Sequence, residues 1–134
     1  MRSKLPSPLR EQEKLRILCV DDDSMISDVL VRLFSTAGHE VQHAANGLEA
    51  WDKVSTNIAY FDVLITDHQM PGLDGLELVE LLHEANYAGR IVVHSSAISD
   101  SENERYRALG VSRVVRKPAQ AEELLAVVEA VHTP

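Results

Sequence analysis

The chain predicts a doubly wound α/β fold, with five βα units in sequence and a parallel five-stranded sheet covered by helices on both faces. Three observations carry this reading. Short aliphatic runs typical of strands buried on both faces recur at Ile17-Leu18-Cys19-Val20, Val63-Leu64-Ile65, Ile91-Val92-Val93 and Val114-Val115. Segments with apolar residues at helical spacing separate them, so right-handed crossovers place helices on both sides of one sheet. The composition, 45% hydrophobic but only 4% aromatic over 134 residues, fits an aliphatic α/β core of one domain. No internal repeat or low-complexity segment interrupts it.

Residues 1–14 read as an N-terminal extension and residues 15–134 as the domain. Pro6 and Pro8 discourage regular structure in the extension, and Arg2, Lys4, Arg10 and Lys14 give it a positive bias, as in a solvated tail. The first strand runs from Leu15 to Val20. Ser24 is the expected cap of a helix with Ile26, Val29, Leu30, Leu33 and Phe34 on one face, closed by Gly38. Glu40 to Ala44 is a short second strand, and Asn46-Gly47 opens a helix with Leu48, Trp51 and Val54 at three-residue steps. The third strand, at Val63, stops on Asp67. Pro71-Gly72 then turns the chain, and Asp74 can cap a helix from Gly75 to about Glu84 with Leu76, Val79 and Leu82 inward. After the fourth strand, Ser101-Glu102-Asn103-Glu104 fits a capping box, Tyr106 and Leu109 supply the apolar contacts, and Gly110 ends the helix. The last helix spans Glu122 to Val131, with Leu124, Leu125, Val128 and Val131 inward.

Charge and cysteine usage exclude several functions. A net charge of −8 argues against nonspecific nucleic-acid binding. No apolar run approaches the roughly 18 residues of a membrane span, and no secretory leader precedes the first strand, so a cytoplasmic location is expected. The single cysteine, Cys19, excludes an internal disulfide and, mid-strand, reads as a buried inert thiol.

The strand ends carry the chemistry. Asp67 taken alone could equally be a turn or capping residue. In a parallel sheet, however, all carboxyl ends lie on one edge, where open α/β folds place their ligands. There the strands end in Asp21-Asp22-Asp23, in Asp67, in His94-Ser95-Ser96 and in Lys117-Pro118. Converging carboxylates repel unless a cation is present, and hard oxygen ligands with room for waters suit Mg²⁺. No Cys/His set has zinc spacing, and His39 and His43 straddle a turn and a strand, which disfavours a shared metal. A carboxylate beside Mg²⁺ and a lysine ammonium can attack phosphorus, and a hydroxyl at the next strand end can hydrogen-bond the transferred group.

These residues resemble the receiver domains of bacterial two-component response regulators. The resemblance covers Leu15 to about Val131. It rests on Val20-Asp21-Asp22-Asp23, Ile65-Thr66-Asp67 with Met70-Pro71 and Asp74-Gly75, Ser95-Ser96, and Lys117-Pro118 at these spacings. It implies a flavodoxin-like fold and a phosphorelay function in which Asp67 is the phosphoacceptor. It implies Asp22 as a direct Mg²⁺ ligand, Asp21 as its partner through water, and the backbone carbonyl of Gln69 as a further ligand. Lys117 resembles the lysine that pairs with the acceptor and then with the phosphoryl group, and its bond to Pro118 is cis in the family. Ungapped counting puts Ser95 at the switch hydroxyl and Ser96 at the small residue admitting the phosphoryl group; a one-residue slip exchanges the role to Ser96. Asp23 reads as a cap of the first helix, and His68 as a partly exposed neighbour of the site. The implied partners are a sensor histidine kinase or histidine phosphotransfer protein upstream, and an effector protein or fused output domain downstream. The resemblance implies neither direct nucleic-acid nor membrane contact.

Two departures matter. Val114 stands where the family often has a Tyr or Phe that swings inward on activation, and Ala119 replaces the aromatic common after Lys-Pro. Both put the aromatic switch in doubt and shift attention to the 95–101 loop, which holds the hydroxyls and lacks proline. The alternative readings are a phosphorylation-independent interaction module, which would need a missing acid or lysine, and an aspartate-nucleophile phosphatase or nucleotide-binding protein. A phosphatase of this chemistry would carry a second aspartate where Gln69 stands, and three aspartates replace a Gly-rich phosphate loop after the first strand.

Overall fold

Strand residues of alternating parity send their side chains to opposite faces of a sheet, and here both faces are buried. In the computed structural model, which describes residues 14–132, Ile17, Cys19, Val63, Ile65 and Val92 fill one core layer while Leu18, Val20, Leu64 and Val93 fill the other. The extension expected at residues 1–14 lies outside the described residues, apart from Lys14.

The elements follow in strict βα alternation: β1 (Arg16–Val20), α1 (Ser24–Thr36), β2 (Glu40–Ala44), α2 (Gly47–Thr56), β3 (Val63–Thr66), α3 (Gly75–Glu84), β4 (Arg90–Ser95), α4 (Asp100–Ala108), β5 (Arg113–Arg116) and α5 (Ala121–His132). The five strands form one parallel sheet in the order β2-β1-β3-β4-β5. Leu30 and Phe34 of α1 and Leu124, Val127 and Val128 of α5 cover one face. Ala50 and Val54 of α2, Leu78, Val79 and Leu82 of α3 and Tyr106 of α4 cover the other. The strand order reverses around β1 and β3, so the crevice that such sheets use for ligands opens at the carboxyl ends of those two strands.

Several element details differ from the sequence expectation. Of the two residues the sequence offers as caps of α1, Asp23 takes the role and Ser24 becomes the first helical residue: Asp23 Oδ1 accepts from the N–H groups of Met25 and Ile26 at 3.0 and 3.3 Å. Val29, expected inward, is 54% exposed, because α1 turns Leu30 and Phe34 into the core and Val29 toward the strand-end edge. Leu48 is likewise 61% exposed; three-residue steps drift round a 3.6-residue helix, and the face of α2 that packs is Gly47, Ala50 and Val54. Helix α4 begins two residues early, with Ser99 and Glu102 rather than the Ser101 segment forming the reciprocal capping box. Asp74 caps α3 as expected, with Glu77 closing a second capping box. Gly38 and Gly110 end α1 and α4 at φ of 99° and 88°, where a Cβ would be strained.

Candidate functional site

The parallel ladder runs on past the strands and sets the site. The N–H of Asp67 donates to the Val20 carbonyl at 3.0 Å, that of Asp21 to Ala44 at 3.1 Å, and that of Lys117 to Ser95 at 3.0 Å. Residues far apart in sequence thus become neighbours on one edge. One carboxylate oxygen from each of Asp21, Asp22 and Asp67 lies within 4.8 Å of the others. The Lys117 ammonium reaches both buried acids, at 3.0 Å from Asp67 Oδ2 and 3.3 Å from Asp21 Oδ2. The remaining oxygen of each is held by backbone: Asp67 Oδ1 accepts from His68 N–H at 2.7 Å, and Asp21 Oδ1 from Asp23 N–H at 2.9 Å.

Burial sets the electrostatics. Withdrawal from water, with Asp67 adding repulsion, holds the Asp21 carboxyl above its ordinary range against the pull of the Asp23 N–H and Lys117. For Lys117, burial works against the charged form, but its bonds to Asp67 and Asp21 outweigh it and raise the ammonium's pKa. Three carboxylates facing one ammonium leave a surplus of negative charge, and an all-oxygen donor set of this kind fits a hard dication such as Mg²⁺.

The other expected residues fall as follows. Ser95 is buried at the end of β4 and Ser96 is exposed beyond it. Gln69 is exposed two residues past Asp67, and Val114 is half-buried against the α2–α4 core layer. The Lys117–Pro118 peptide is cis. His39 and His43 do not meet at a metal: the His39 ring accepts from Leu15 N–H at Nδ1 and pairs with Glu129 at 2.8 Å, while His43 Nε2 donates to the Asp21 carbonyl at 3.1 Å. Cys19 is buried and its thiol is pushed up to about 12, as suits an inert side chain.

Two histidines stand out. His68, expected to be partly exposed, is buried, with Nδ1 2.6 Å from the Tyr106 hydroxyl and Nε2 3.1 Å from Glu102. Helix α4 folds over the acceptor loop and covers it, which a residue's neighbours in sequence do not reveal. His94 is the residue that sequence reasoning passed over. Its Nε2 is buried without a hydrogen-bond partner among the described residues, and it lines a cleft of about 390 Å³ with Met25, Val29, Lys117, Pro118 and Ala119. The alternation of β4 contained the signal, since His94 shares the face of Val92 rather than that of Val93 and Ser95.

Burial, reinforced by the nearby Lys117 charge and opposed by Asp67, lowers the His94 pKa from 6.5 to about 4. Between these values the unfolded chain takes up a proton that the folded chain refuses, so stability falls as pH drops through that interval. The expected loss is about 2 kcal/mol, allowing for solvent at the cleft mouth. Urea unfolding at pH 7 and pH 4.5 measures it against His94→Leu, in which the pH-dependent loss should shrink by that amount. An identical loss in the variant would contradict the burial of a neutral imidazole.

Comparison with known proteins decides the family. The response regulator receiver domain family matches residues 17–129. The chain belongs to that family. It is 33% identical over 118 residues to the sensor protein EvgS of Escherichia coli K12, covering 88% of this chain and 10% of EvgS. It is 37% identical over 112 residues to the response regulator MprA of Mycobacterium avium, covering 84% of this chain and 48% of MprA. The chain therefore spans about half the length of one of these relatives and a tenth of the other. Among solved structures, the Vibrio cholerae chemotaxis protein CheY4 superimposes with a TM-score of 0.80 at 30% identity, over 88% of this chain and 98% of CheY4. A CheY-like receiver domain of Methanospirillum hungatei does so with a TM-score of 0.84 at 25% identity, over 89% and 94% of the two chains. The receiver domain is thus a phosphoacceptor module of two-component signalling rather than a conventional enzyme. Among the described residues, no helix is long and apolar enough to cross a membrane.

Proposed function

We propose that Asp67 is the phosphoacceptor of this receiver and that the domain promotes its own phosphorylation. The observation that carries this is the buried Asp67 carboxylate held 3.0 Å from the Lys117 ammonium beside two further acids. An Asp67 oxygen attacks the phosphorus of a phosphohistidine or acyl phosphate. The new O–P bond makes a mixed anhydride, and the bond to the imidazole or carboxylate leaving group breaks with its electron pair. Lys117 keeps its charge throughout and offsets the charge on the transferring oxygens. Asp21, Asp22 and Asp67, with the Gln69 backbone carbonyl, would hold Mg²⁺, which when bound neutralises phosphoryl charge in the same crevice.

Upstream partners in this reading are a sensor histidine kinase or a histidine phosphotransfer protein. Beside the crevice, Met25 at 77% exposure and Val29 at 54% offer an apolar face with Pro118 and Ala119 against which a helix bearing the donor histidine can pack. Downstream, an effector protein or fused output domain reads the state. The cytoplasm, where ATP-derived phosphoryl donors are made, is the compartment that goes with this role. The test is intact-mass measurement with acetyl phosphate: one phosphoryl group is gained with Mg²⁺ and none with a chelator. Equal uptake under both conditions would remove the metal from the reaction.

The switch hydroxyl is assigned to Ser95, because it is buried at the strand end and its carbonyl accepts the Lys117 N–H, whereas Ser96 is exposed. Ser95→Ala should still be phosphorylated yet lose most of the amide-shift response to beryllofluoride, and Ser96→Ala should respond nearly as the wild type does. The reverse ranking would transfer the role to Ser96.

A further inference from the structure

Helix α4 is the most weakly anchored helix of the fold. Its sequence, Asp100-Ser101-Glu102-Asn103-Glu104-Arg105-Tyr106-Arg107-Ala108, buries a single side chain, that of Tyr106. A helix that buries so little apolar surface is among the segments a small free-energy change can move. What holds it is mainly polar: Arg105 pairs with Glu80 of α3 at the surface, and two further contacts converge on one buried residue. Glu102 and Tyr106, four apart and so on one helix face, both grip the His68 imidazole. The bonds are mutually consistent: the Tyr106 O–H donates to Nδ1, and Nε2–H donates to Glu102. Glu102 also accepts from the Ser99 N–H at 2.9 Å with its other oxygen, so the contact that closes the capping box of α4 is joined to the same imidazole.

His68 is fixed at its other end by the acceptor. Its N–H donates to Asp67 Oδ1, and its carbonyl accepts from Gly75 N–H at 2.8 Å. The chain of contacts Asp67–His68–Tyr106/Glu102 is therefore continuous, buried from Asp67 through His68 to Tyr106 and open to solvent at Glu102. Val114, by contrast, is short and β-branched, with a restricted χ1 and no polar side-chain atom to signal with.

We infer that His68 is a positioning residue that couples the occupancy of Asp67 to the position of helix α4, through the Tyr106 hydroxyl and the Glu102 carboxylate. The inference rests on the reading of Asp67 as phosphoacceptor. A phosphoryl group on Asp67 adds charge and bulk to the oxygens one of which the His68 N–H now holds. Any adjustment of that amide carries the imidazole with it, and the imidazole cannot shift without releasing or dragging the first two turns of α4. The surface presented by α4 is thereby a readout of the acceptor's state, and the ligand's effect on it is bounded by its differential affinity for the two helix positions.

The test adds Mg²⁺ and beryllofluoride to the wild type, Tyr106→Phe, His68→Phe and His68→Gln and follows backbone amide shifts. In the wild type, shifts are expected both at the Ser95 end of β4 and across residues 99–108. Tyr106→Phe keeps the buried ring and so folds, but removes the O–H that holds Nδ1. It and His68→Phe should retain the Ser95 shifts while coupling to α4 falls by about threefold or more. Gln supplies one donor and one acceptor, so His68→Gln should restore most of the α4 response, which a purely space-filling role for the ring does not provide. Wild-type α4 shifts in Tyr106→Phe, or no recovery in His68→Gln, would overturn the inference. Absence of any wild-type response, at Ser95 as well as α4, would instead overturn the assignment of Asp67, and the inference with it.

Discussion

Asp67→Asn is expected to take up no phosphoryl group from acetyl phosphate in the presence of Mg²⁺, while the wild type takes up one. The amide has the shape of the carboxylate and leaves the β3 ladder intact, but it is a poor nucleophile. It also exchanges the ion pair with Lys117 at 3.0 Å for a weaker hydrogen bond. The rate should fall by roughly 10³-fold or more, the scale on which loss of a nucleophile acts. Folding should be little harmed, because the substitution removes one of three crowded acids. Intact mass and a thermal melt of the same sample separate the two effects. Undiminished phosphorylation of a folded Asp67→Asn would move the chemistry to another side chain.

The second large effect is expected from a residue with no chemistry of its own. Gly75 opens α3, where alanine ordinarily stabilises a helix by up to about 1 kcal/mol. Here an added Cβ would lie 2.3 Å from the Asp67 carbonyl oxygen, 2.8 Å from the Tyr106 hydroxyl and 2.9 Å from His68 Cα. The obstacle is mostly backbone, so relief requires α3 to move off the acceptor loop. Gly75→Ala should destabilise by about 2–3 kcal/mol, the overpacking range, and lower Tm by about 10 °C. Phosphorylation should slow as well, since the atoms displaced adjoin Asp67. A neutral or stabilising Gly75→Ala in a thermal melt would contradict the close seating of α3 on that loop.

The fold was legible in the sequence because its strongest signals are local. Val63-Leu64-Ile65 and Ile91-Val92-Val93 are short, aliphatic and bounded by turn residues, and β2 spans Glu40 to Ala44 as the sequence indicates. The convergence of Asp21, Asp22, Asp67 and Lys117 was legible for a different reason: parallel strands put their carboxyl ends on one edge whatever the intervening loops do. Details that depend on competition between neighbours were not. Ser99 takes the α4 cap over Ser101, because the helix start is chosen by which side chain meets the free N–H groups, and for α1 the sequence offered both Asp23, which caps it, and Ser24. The exposure of Val29 and Leu48 was illegible because apolar spacing marks a face without saying that the face is covered. The burial of His68 and His94 depends on helices that reach them from elsewhere in the chain, so only the folded structure relates His68 to Tyr106 or His94 to α1 and the Lys117 loop.

The central claim is that the Asp67 carboxylate, set between Lys117 and the Asp21–Asp22 pair, receives the phosphoryl group. Its most direct test is reductive trapping: the phosphorylated protein is treated with borohydride, which converts an aspartyl phosphate to homoserine, and the peptides are sequenced by mass spectrometry. Homoserine at position 67 alone is the expected result. Homoserine at 21, 22 or 23, or phosphoryl label on a histidine with position 67 unmodified, would contradict the account.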